Sequence, residues 1–295
     1  MLKLTTLAAL LDEHRAAAQA LVKEFSIGGH AFAFNTRPAI MGVVNLSADS
    51  WYRESVALSA DAAIRRGRVL AAQGADIVDV GAESTLASAA RVDDVSQSGK
   101  LLPVVRKLSA AGILVSVETY SEAVARVALE AGARVVNLTG TDRTEEVFRM
   151  VADHDAAVII CYVQGRNVRE VEDFDFGADP IVVLKDYFAR QIEVATRLGV
   201  ERLFLDPGLG FYYRNLQDST VRVRHQMRVF LNSFRLRTLG FPVCQALPHA
   251  FEYFGEEVRC AEPFFAVLAA LGGTDLFRTH EVPRIKAVHE TLALL

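Results

Sequence analysis

The sequence predicts a single α/β domain, a (β/α)₈ barrel (TIM barrel) with an extra N-terminal helix. Eight apolar runs of strand type recur along the chain, helical patterns separate them, and several of these helices end at a glycine. Helix, glycine and then a Val/Ile/Leu-rich run is typical of βα units whose parallel strands are buried on both faces. The chain has 295 residues, and such barrels need about 250. No GxGxxG opens a helix, which makes a doubly wound dinucleotide-binding sheet the weaker interpretation.

The first 38 residues are predicted to form a helix and an extended segment that leads into the barrel. Apolar residues at helical spacing within residues 1–25 indicate an amphipathic helix. The charged residues 12–15 interrupt this run, so neither an export signal nor a membrane span is expected. Residues 29–37 are predicted to be extended, and the barrel is predicted to occupy residues 39–295.

Eight strands and the helices between them follow in order. The strands are predicted at residues 39–44, 76–80, 113–117, 134–137, 156–161, 202–205, 241–245 and 274–278. The clearest helices are predicted at residues 59–73, 121–131 and 181–198, which lead into Gly74, Gly132 and Gly199. Eight such units favour a closed barrel over an open sheet.

The composition excludes several classes of function. Lys and Arg number 32 against 36 Asp and Glu, a net charge of −4 with no dominant basic patch, so nucleic acid is not expected as a partner. No apolar run approaches the length of about 20 residues that a membrane span needs. The three cysteines are too few and too scattered for a disulfide framework or a zinc cluster, and they fit a reducing cytoplasm.

Polar residues follow the predicted strands at their carboxyl ends, where barrels of this type carry function. In strand order they include Asn45, Asp79, Glu118, Asn137, Cys161, Asp206, Gln245 with His249, and Arg278 with His280. Any one of them could simply cap a helix or shape a turn, but their recurrence around the barrel predicts one shared site. Glu118, Asn137 and Asp206 would form a wall of acceptors suited to a planar heterocycle with N–H donors. Asn45, Arg278 and His280 would supply donors to a phosphate or diphosphate on the other side.

Six motifs, in order along the chain, resemble those of the dihydropteroate synthase family. Residues 40–50 read IMGVVNLSADS and residues 74–85 read GADIVDVGAEST. Shorter matches follow at residues 116–120, 135–137, 206–211 and 278–282. The resemblance covers residues 39–295 and implies a pterin-binding barrel.

The resemblance implies the family's reaction and the residues that perform it. A hydroxymethyl-dihydropterin diphosphate condenses with para-aminobenzoate and releases pyrophosphate, with Mg²⁺ present. The substrate-binding positions that the resemblance implies are Asp79, Glu118, Asn137, Asp206 and His249. The implied catalytic positions are Asn45, Arg278 and His280, of which Asn45 would also bind the metal. The resemblance further implies a homodimer, with apolar residues of the last two helices such as Phe264 and Leu271 as the dimer face.

The sequence departs from the family pattern mainly at the diphosphate end. Residues 247–249 read Leu-Pro-His where the family has Ser-Arg-Lys, and residues 85–87 read Thr-Leu-Ala where it has Thr-Arg-Pro. Each lost charge-assisted contact corresponds to about one to two decades in rate or affinity. His249 would replace the missing lysine only in part, because it is shorter and mostly neutral at pH 7. The pterin end is therefore predicted to be better preserved than the reaction end.

Three functions stay open on the sequence alone. The first is a transferase that joins a pterin to an arylamine such as para-aminobenzoate. The second is a pterin-binding homologue without synthase activity. The third is a methyltetrahydrofolate-type methyltransferase, against which the ending Arg278-Thr279-His280 argues. Trp51 and Tyr52 are predicted either to cover the barrel mouth as a lid or to pack on its rim.

Overall fold

The computed structural model describes residues 2–47, 49, 55–84, 89–174, 177–211 and 213–294. The predictions for Trp51, Tyr52 and residues 85–87 lie outside these ranges. The strands are β1 (Phe25–Ile27), β2 (His30–Phe32), β3 (Ala39–Asn45), β4 (Ile77–Gly81), β5 (Val115–Thr119), β6 (Val135–Leu138), β7 (Ala157–Cys161), β8 (Arg202–Asp206), β9 (Cys244–Ala246) and β10 (Leu276–Thr279). The helices are α1 (Leu4–Glu13), α2 (Arg15–Ala18), α3 (Ala60–Ala72), α4 (Asp94–Ser109), α5 (Glu122–Glu130), α6 (Thr144–Asp153), α7 (Pro180–Arg197), α8 (Ser219–Asn232), α9 (Phe251–Phe254), α10 (Ala261–Leu271) and α11 (Val282–Leu292).

The predicted (β/α)₈ barrel with an N-terminal helix is confirmed. Strands β3 to β10 form one parallel sheet in the order β8-β7-β6-β5-β4-β3-β10-β9. The amide of Leu205 in β8 donates to the carbonyl of Pro242, 2.9 Å away and two residues before β9, which closes the sheet on itself. All eight predicted strands are present, displaced by at most three residues at their ends.

Local sequence signals fix where the barrel helices begin and end. Ser59, Ser121 and Asp218 cap α3, α5 and α8, each accepting a hydrogen bond from a backbone amide three residues later. After α3 and α5, Gly74 and Gly132 take φ values of 107° and 112°, which a residue with a Cβ adopts only under strain. These glycines turn the chain directly into the next strand.

The N-terminal segment differs from its prediction in two ways. Helix α1 ends at Glu13 and none of its residues is buried, so it does not pack as an amphipathic helix. Strands β1 and β2 form an antiparallel hairpin in place of a simple extended segment at residues 29–37. Gly28 and Gly29 make its turn, with φ values of 55° and 86°. The hairpin's apolar side belongs to the same buried cluster as Phe204 and so closes the amino-terminal end of the barrel.

Among the described residues, no helix combines the length and the apolar character that crossing a bilayer requires.

Candidate functional site

The barrel interior changes from apolar to polar between the two ends of the strands. Side chains of a strand alternate between its faces, so residues two apart share the interior. In four strands such a pair consists of an apolar residue, which lies in the buried cluster at the amino end, and a polar residue nearer the carboxyl end. The pairs are Ile77 and Asp79, Val135 and Asn137, Phe204 and Asp206, and Leu276 and Arg278. Polar groups therefore converge from four strands on the carboxyl end of the barrel.

Arg278 lies at the centre of this group. Its Nε donates to Oδ2 of Asp79 over 2.8 Å, and its Nη2 donates to the carboxylate of Glu118. Asn137 donates to the same Asp79 oxygen over 3.2 Å. Asp79 is fully buried and orients Arg278 from behind. The expected separation of acceptors and donors onto opposite walls is wrong for Arg278, because a buried guanidinium gains most where it contacts carboxylates directly.

Asp206 lies across the barrel interior, at the end of β8. Its Oδ1 accepts a hydrogen bond from the amide of Gly208, 2.8 Å away. Gly208 has a φ of 74°, and a Cβ on it would lie 2.3 Å from the carbonyl oxygen of Tyr162. The turn that orients Asp206 therefore requires glycine. Burial raises the pKa of the neighbouring Cys161 thiol well above its ordinary value, so it remains a neutral group.

Two adjoining cavities open above this layer. The inner one is lined by side chains that include Glu118, Asn137, Cys161, Asp206, Phe211 and Arg278. The outer cavity has about 860 Å³ of empty space, which includes open solvent. The residues that line it include Asn45, Glu83, Glu118, Phe211, His249, Arg278 and His280. Glu118 and Arg278 border both cavities. Of the eight site positions named from the sequence, only Asp79 borders neither.

Burial controls the protonation of the two inner carboxyl groups. Burial raises the pKa of Glu118 to about 7, although the positive charge of Arg278 opposes the shift. Burial likewise raises the pKa of Asp206 to about 6, against the hydrogen bond from Gly208 and the charge of Arg278. Both groups are thus able to exchange a proton near neutral pH, which is typical of carboxyl groups at functional sites.

Comparison with known proteins gives the family. Residues 41–280 match the family model described as pterin binding enzyme. The chain is 30% identical to a dihydropteroate synthase of Mycobacterium leprae, over 82% of this chain and 88% of the relative. The chain belongs to the dihydropteroate synthase family of pterin-binding enzymes. It is also 28% identical to a dihydropteroate synthase of Synechocystis, over 87% of this chain and 89% of that one.

Solved structures of the dihydropteroate synthase family share the fold over nearly the whole chain. A dihydropteroate synthase of Clostridium difficile, crystallised in the presence of pteroic acid, superposes with a TM-score of 0.75 at 27% identity. The match covers 89% of this chain and 98% of that one. A dihydropteroate synthase of Xanthomonas albilineans with 4-aminobenzoic acid superposes with a TM-score of 0.72 at 26% identity, covering 92% and 98% of the two chains.

In this member of the family, a buried carboxylate that the sequence does not place at the site contacts two histidines that border the outer cavity. Glu262 of α10 is completely buried, and its Oε1 lies 2.8 Å from Nδ1 of His280 and 3.3 Å from Nε2 of His249. A signal for it exists in the sequence, because Glu262 is the only charged residue in the stretch Ala261–Leu271. A carboxylate in a buried apolar helix is rarely there without a partner.

Two further side chains that the sequence analysis missed order the loop after β4. Buried Arg169 donates to the carbonyl oxygens of Ser84 and Ala89, each over 2.5 Å, and so ties the two described ends of that loop together. The hydroxyl of Tyr120 donates to Glu83 over 2.5 Å. No sequence pattern singles out Arg169, because it lies in irregular chain after β7.

Gln245, which the sequence placed at the seventh strand end beside His249, does not reach either cavity. Its side chain is fully buried, and its Nε2 donates to the hydroxyl of Ser233 over 2.5 Å, just beyond α8. It therefore faces the helical layer.

The raised pKa of Glu118 predicts that stability falls as pH rises. A carboxyl group whose pKa is higher in the folded chain than in the unfolded chain destabilises the folded state when it ionises. This penalty is absent below pH ~4.5 and is complete above pH ~7. Glu118→Gln, which mimics the protonated form, is expected to raise the free energy of unfolding by about 1–3 kcal/mol at pH 8 and to change it little at pH 4.5.

Chemical denaturation at both pH values measures this difference. Exposed Glu130→Gln is the control and should leave the pH dependence of the wild type unchanged. Equal stabilisation by Glu118→Gln at both pH values would show that the pKa of Glu118 is not raised.

Proposed function

We propose that this chain binds a pterin in the inner cavity, held by Glu118, Asn137 and Asp206. The observation that carries the proposal is the convergence of two carboxyl groups and one amide on a cavity at the end of an apolar barrel; Asp206 and Asn137 are buried, and the side chain of Glu118 is 10% exposed. The amino group and ring N–H of a 2-amino-4-oxo pterin are donors, and ionised carboxylates are the strongest acceptors that a protein can offer them. Asp79 would act indirectly, by holding Arg278 and Asn137 in place.

We further propose that the chain condenses the diphosphate of that pterin with an arylamine such as para-aminobenzoate. The inner and outer cavities share Glu118 and Arg278, so a ligand with its ring inside extends its side chain outward. The amine nitrogen would form a bond to the exocyclic methylene carbon of the pterin. The carbon–oxygen bond would break, the amine would lose a proton, and pyrophosphate would leave past Arg278 and His280. Binding both substrates in fixed geometry lowers the barrier, and positive charge near the leaving group stabilises it.

Asn45 fits the proposed Mg²⁺ ligand by its chemistry. Its Nδ2 donates to the hydroxyl of Ser55 over 2.6 Å, which fixes the orientation of the amide. Its side chain borders the outer cavity, and an amide oxygen is a ligand type that Mg²⁺ accepts. A bound Mg²⁺ would neutralise charge on the diphosphate. We also propose a homodimer through α10, where Phe264, Val267 and Leu271 expose apolar surface.

A pterin-binding homologue without synthase activity is the second candidate, and one observation favours it. Among the described residues, Arg278 and Arg222 border the outer cavity, and both contact carboxylates: Arg278 those of Asp79 and Glu118, and Arg222 that of Glu252 over 2.5 Å. Their positive charge is thus partly neutralised before a diphosphate arrives. No contact among the described residues favours the methyltransferase.

Titration calorimetry distinguishes the two candidates. The purified chain is titrated with hydroxymethyl-dihydropterin diphosphate and with the pterin alone, each with and without Mg²⁺. The synthase proposal expects the diphosphate to bind at least about tenfold more tightly, a difference of about 1.4 kcal/mol, and to release pyrophosphate when para-aminobenzoate is added. Equal binding of both compounds without turnover supports the non-catalytic homologue. Binding of neither would overturn the pterin proposal.

A further inference from the structure

The environment of Glu262 is unusual for a buried carboxylate. Its Oε2 accepts from the hydroxyl of Thr279 and from the backbone amides of His280 and Glu281, at 3.1 Å and 3.3 Å. That oxygen is therefore saturated by the protein. Its other oxygen, Oε1, faces the rings of His249 and His280 and also accepts from the amide of His280, 3.3 Å away. A cation beside a carboxylate without any exposure stabilises it, and the two imidazoles that face Oε1 are side chains that bind metal cations.

The three facing atoms are of the types that bind metals, and they lie close together. Nε2 of His249, Nδ1 of His280 and Oε1 of Glu262 all lie within 4.8 Å of one another. Ligand atoms held at about 2.0–2.2 Å from one zinc ion lie about 3–4 Å apart in a tetrahedral arrangement. The hydrogen bonds to Oε2 are the support that carboxylate ligands receive in metal sites, because they fix the orientation of the ligand oxygen.

The position of the cluster leaves room for an exogenous ligand. His249 and His280 both border the outer cavity, while Glu262 lies behind them in α10. Three protein ligands with an open side are typical of catalytic zinc sites, whereas structural sites have four protein ligands. Two imidazoles and one carboxylate suit Zn²⁺, Co²⁺ or Fe²⁺ better than Mg²⁺, which prefers oxygen ligands.

We propose that His249, His280 and Glu262 bind a divalent transition metal of the Zn²⁺ class, with one coordination position open to the outer cavity. The ion neutralises Glu262 and adds net positive charge to a wall whose arginines contact carboxylates. Its open position takes an anionic oxygen of phosphate type. This last role rests on the proposed function, in which the outer cavity holds a diphosphate; the metal site itself does not.

Metal binding to the purified full-length chain tests the proposal. After treatment with a chelator and its removal, the chain is titrated with Zn²⁺ in competition with a chromophoric chelator. One Zn²⁺ per chain is expected, with a dissociation constant of about 1 µM or tighter. His249→Ala and Glu262→Gln are each expected to weaken this binding at least about 100-fold. Cys260→Ser, which removes an exposed thiol near Glu262 in the sequence, is the matched control and should bind as the wild type does.

Two results would overturn the site. The first is an unchanged Zn²⁺ affinity in His249→Ala, provided that this variant has the circular dichroism spectrum of the wild type. The second is a wild-type chain that binds Zn²⁺ no more tightly than Mg²⁺. His249→Ala serves this purpose even if Glu262→Gln fails to fold. Co²⁺ provides a second measurement, because inorganic phosphate should change its visible absorption if one coordination position is open. No change with phosphate would overturn the open position. Zn²⁺ binding without pterin binding would contradict the proposed function alone, and pterin binding without Zn²⁺ binding would contradict the metal site alone.

Discussion

Asp206→Asn is expected to weaken pterin binding at least about 100-fold. The carboxylate of Asp206 borders the inner cavity and is oriented by the amide of Gly208. An asparagine keeps the size of the side chain and can still accept that backbone bond, but it turns an N–H group toward the N–H donors of the pterin. Losing one charge-assisted bond and leaving donors unpaired together correspond to about 3 kcal/mol or more.

The same substitution is not expected to harm the fold. Burial raises the pKa of Asp206 to about 6, so its ionised form destabilises the folded chain at neutral pH, and a neutral asparagine avoids that penalty. Loss of binding with equal or higher thermal stability would therefore separate a role in binding from a structural one. Exposed Asp186→Asn on α7 is the control and should change neither property.

Calorimetry with the pterin alone gives the clearest measurement, because it does not depend on turnover. If Asp206→Asn binds the pterin as tightly as the wild type, Asp206 does not contact it, and the assignment of the inner cavity fails. If only the diphosphate compound loses affinity, the pterin ring lies elsewhere and the orientation of the ligand is wrong.

The fold could be predicted from the sequence because its signals are local and repeated. Most strands are short runs rich in Val, Ile and Leu, and glycines such as Gly74 and Gly132 mark the point where a helix returns to the sheet. The positions of the strand ends then predict which residues lie near one another, since the topology of a barrel places all carboxyl ends together. Asn137, Asp206 and Arg278 come from different parts of the chain but border one cavity for this reason.

The contacts between those residues could not be predicted in the same way. Strand position shows that Arg278 lies near Glu118, but not whether it contacts that carboxylate or points to a ligand. The outcome depends on rotamers and on the free energy of burying charge, which favours pairing inside the barrel. The hairpin of β1 and β2 was missed because Gly28-Gly29 was not recognised as its turn.

Glu262 shows a different limit. Its sequence signal, one carboxylate in an apolar helix, was present, but the helix follows the seventh strand and belongs to the outer layer of the barrel. Strand ends alone therefore do not indicate a residue that contacts cavity-lining side chains from a helix. His249 and His280 flank it in space although 13 and 18 residues separate them from it in sequence.

Arg278 joins the stability of the barrel to its proposed chemistry. It contacts Asp79, which has no exposure and whose Oδ1 has no hydrogen-bond partner among the described residues. Arg278→Met keeps the apolar stem of the side chain but leaves the carboxylates of Asp79 and Glu118 buried together without their cation. Removing one partner from a buried charge network destabilises a protein by about 3–5 kcal/mol.

We therefore expect Arg278→Met to lower the free energy of unfolding by about 3–5 kcal/mol, or the midpoint temperature by about 6–15 °C. At a pH above the pKa of Glu118, adding Glu118→Gln to Arg278→Met should recover part of this loss, because one of the two unpaired charges is then absent. Exposed Arg126→Met, which removes an ion pair with Glu122 on α5, is the control and should change stability by less than about 1 kcal/mol. If Arg278→Met is as mild as this control, the carboxylates do not depend on Arg278 and it is free to bind an anion. If Arg278→Met loses much stability and Glu118→Gln restores part of it, the charge of Arg278 stabilises the two carboxylates inside the barrel. Other positively charged groups on the cavity wall must then bind the diphosphate.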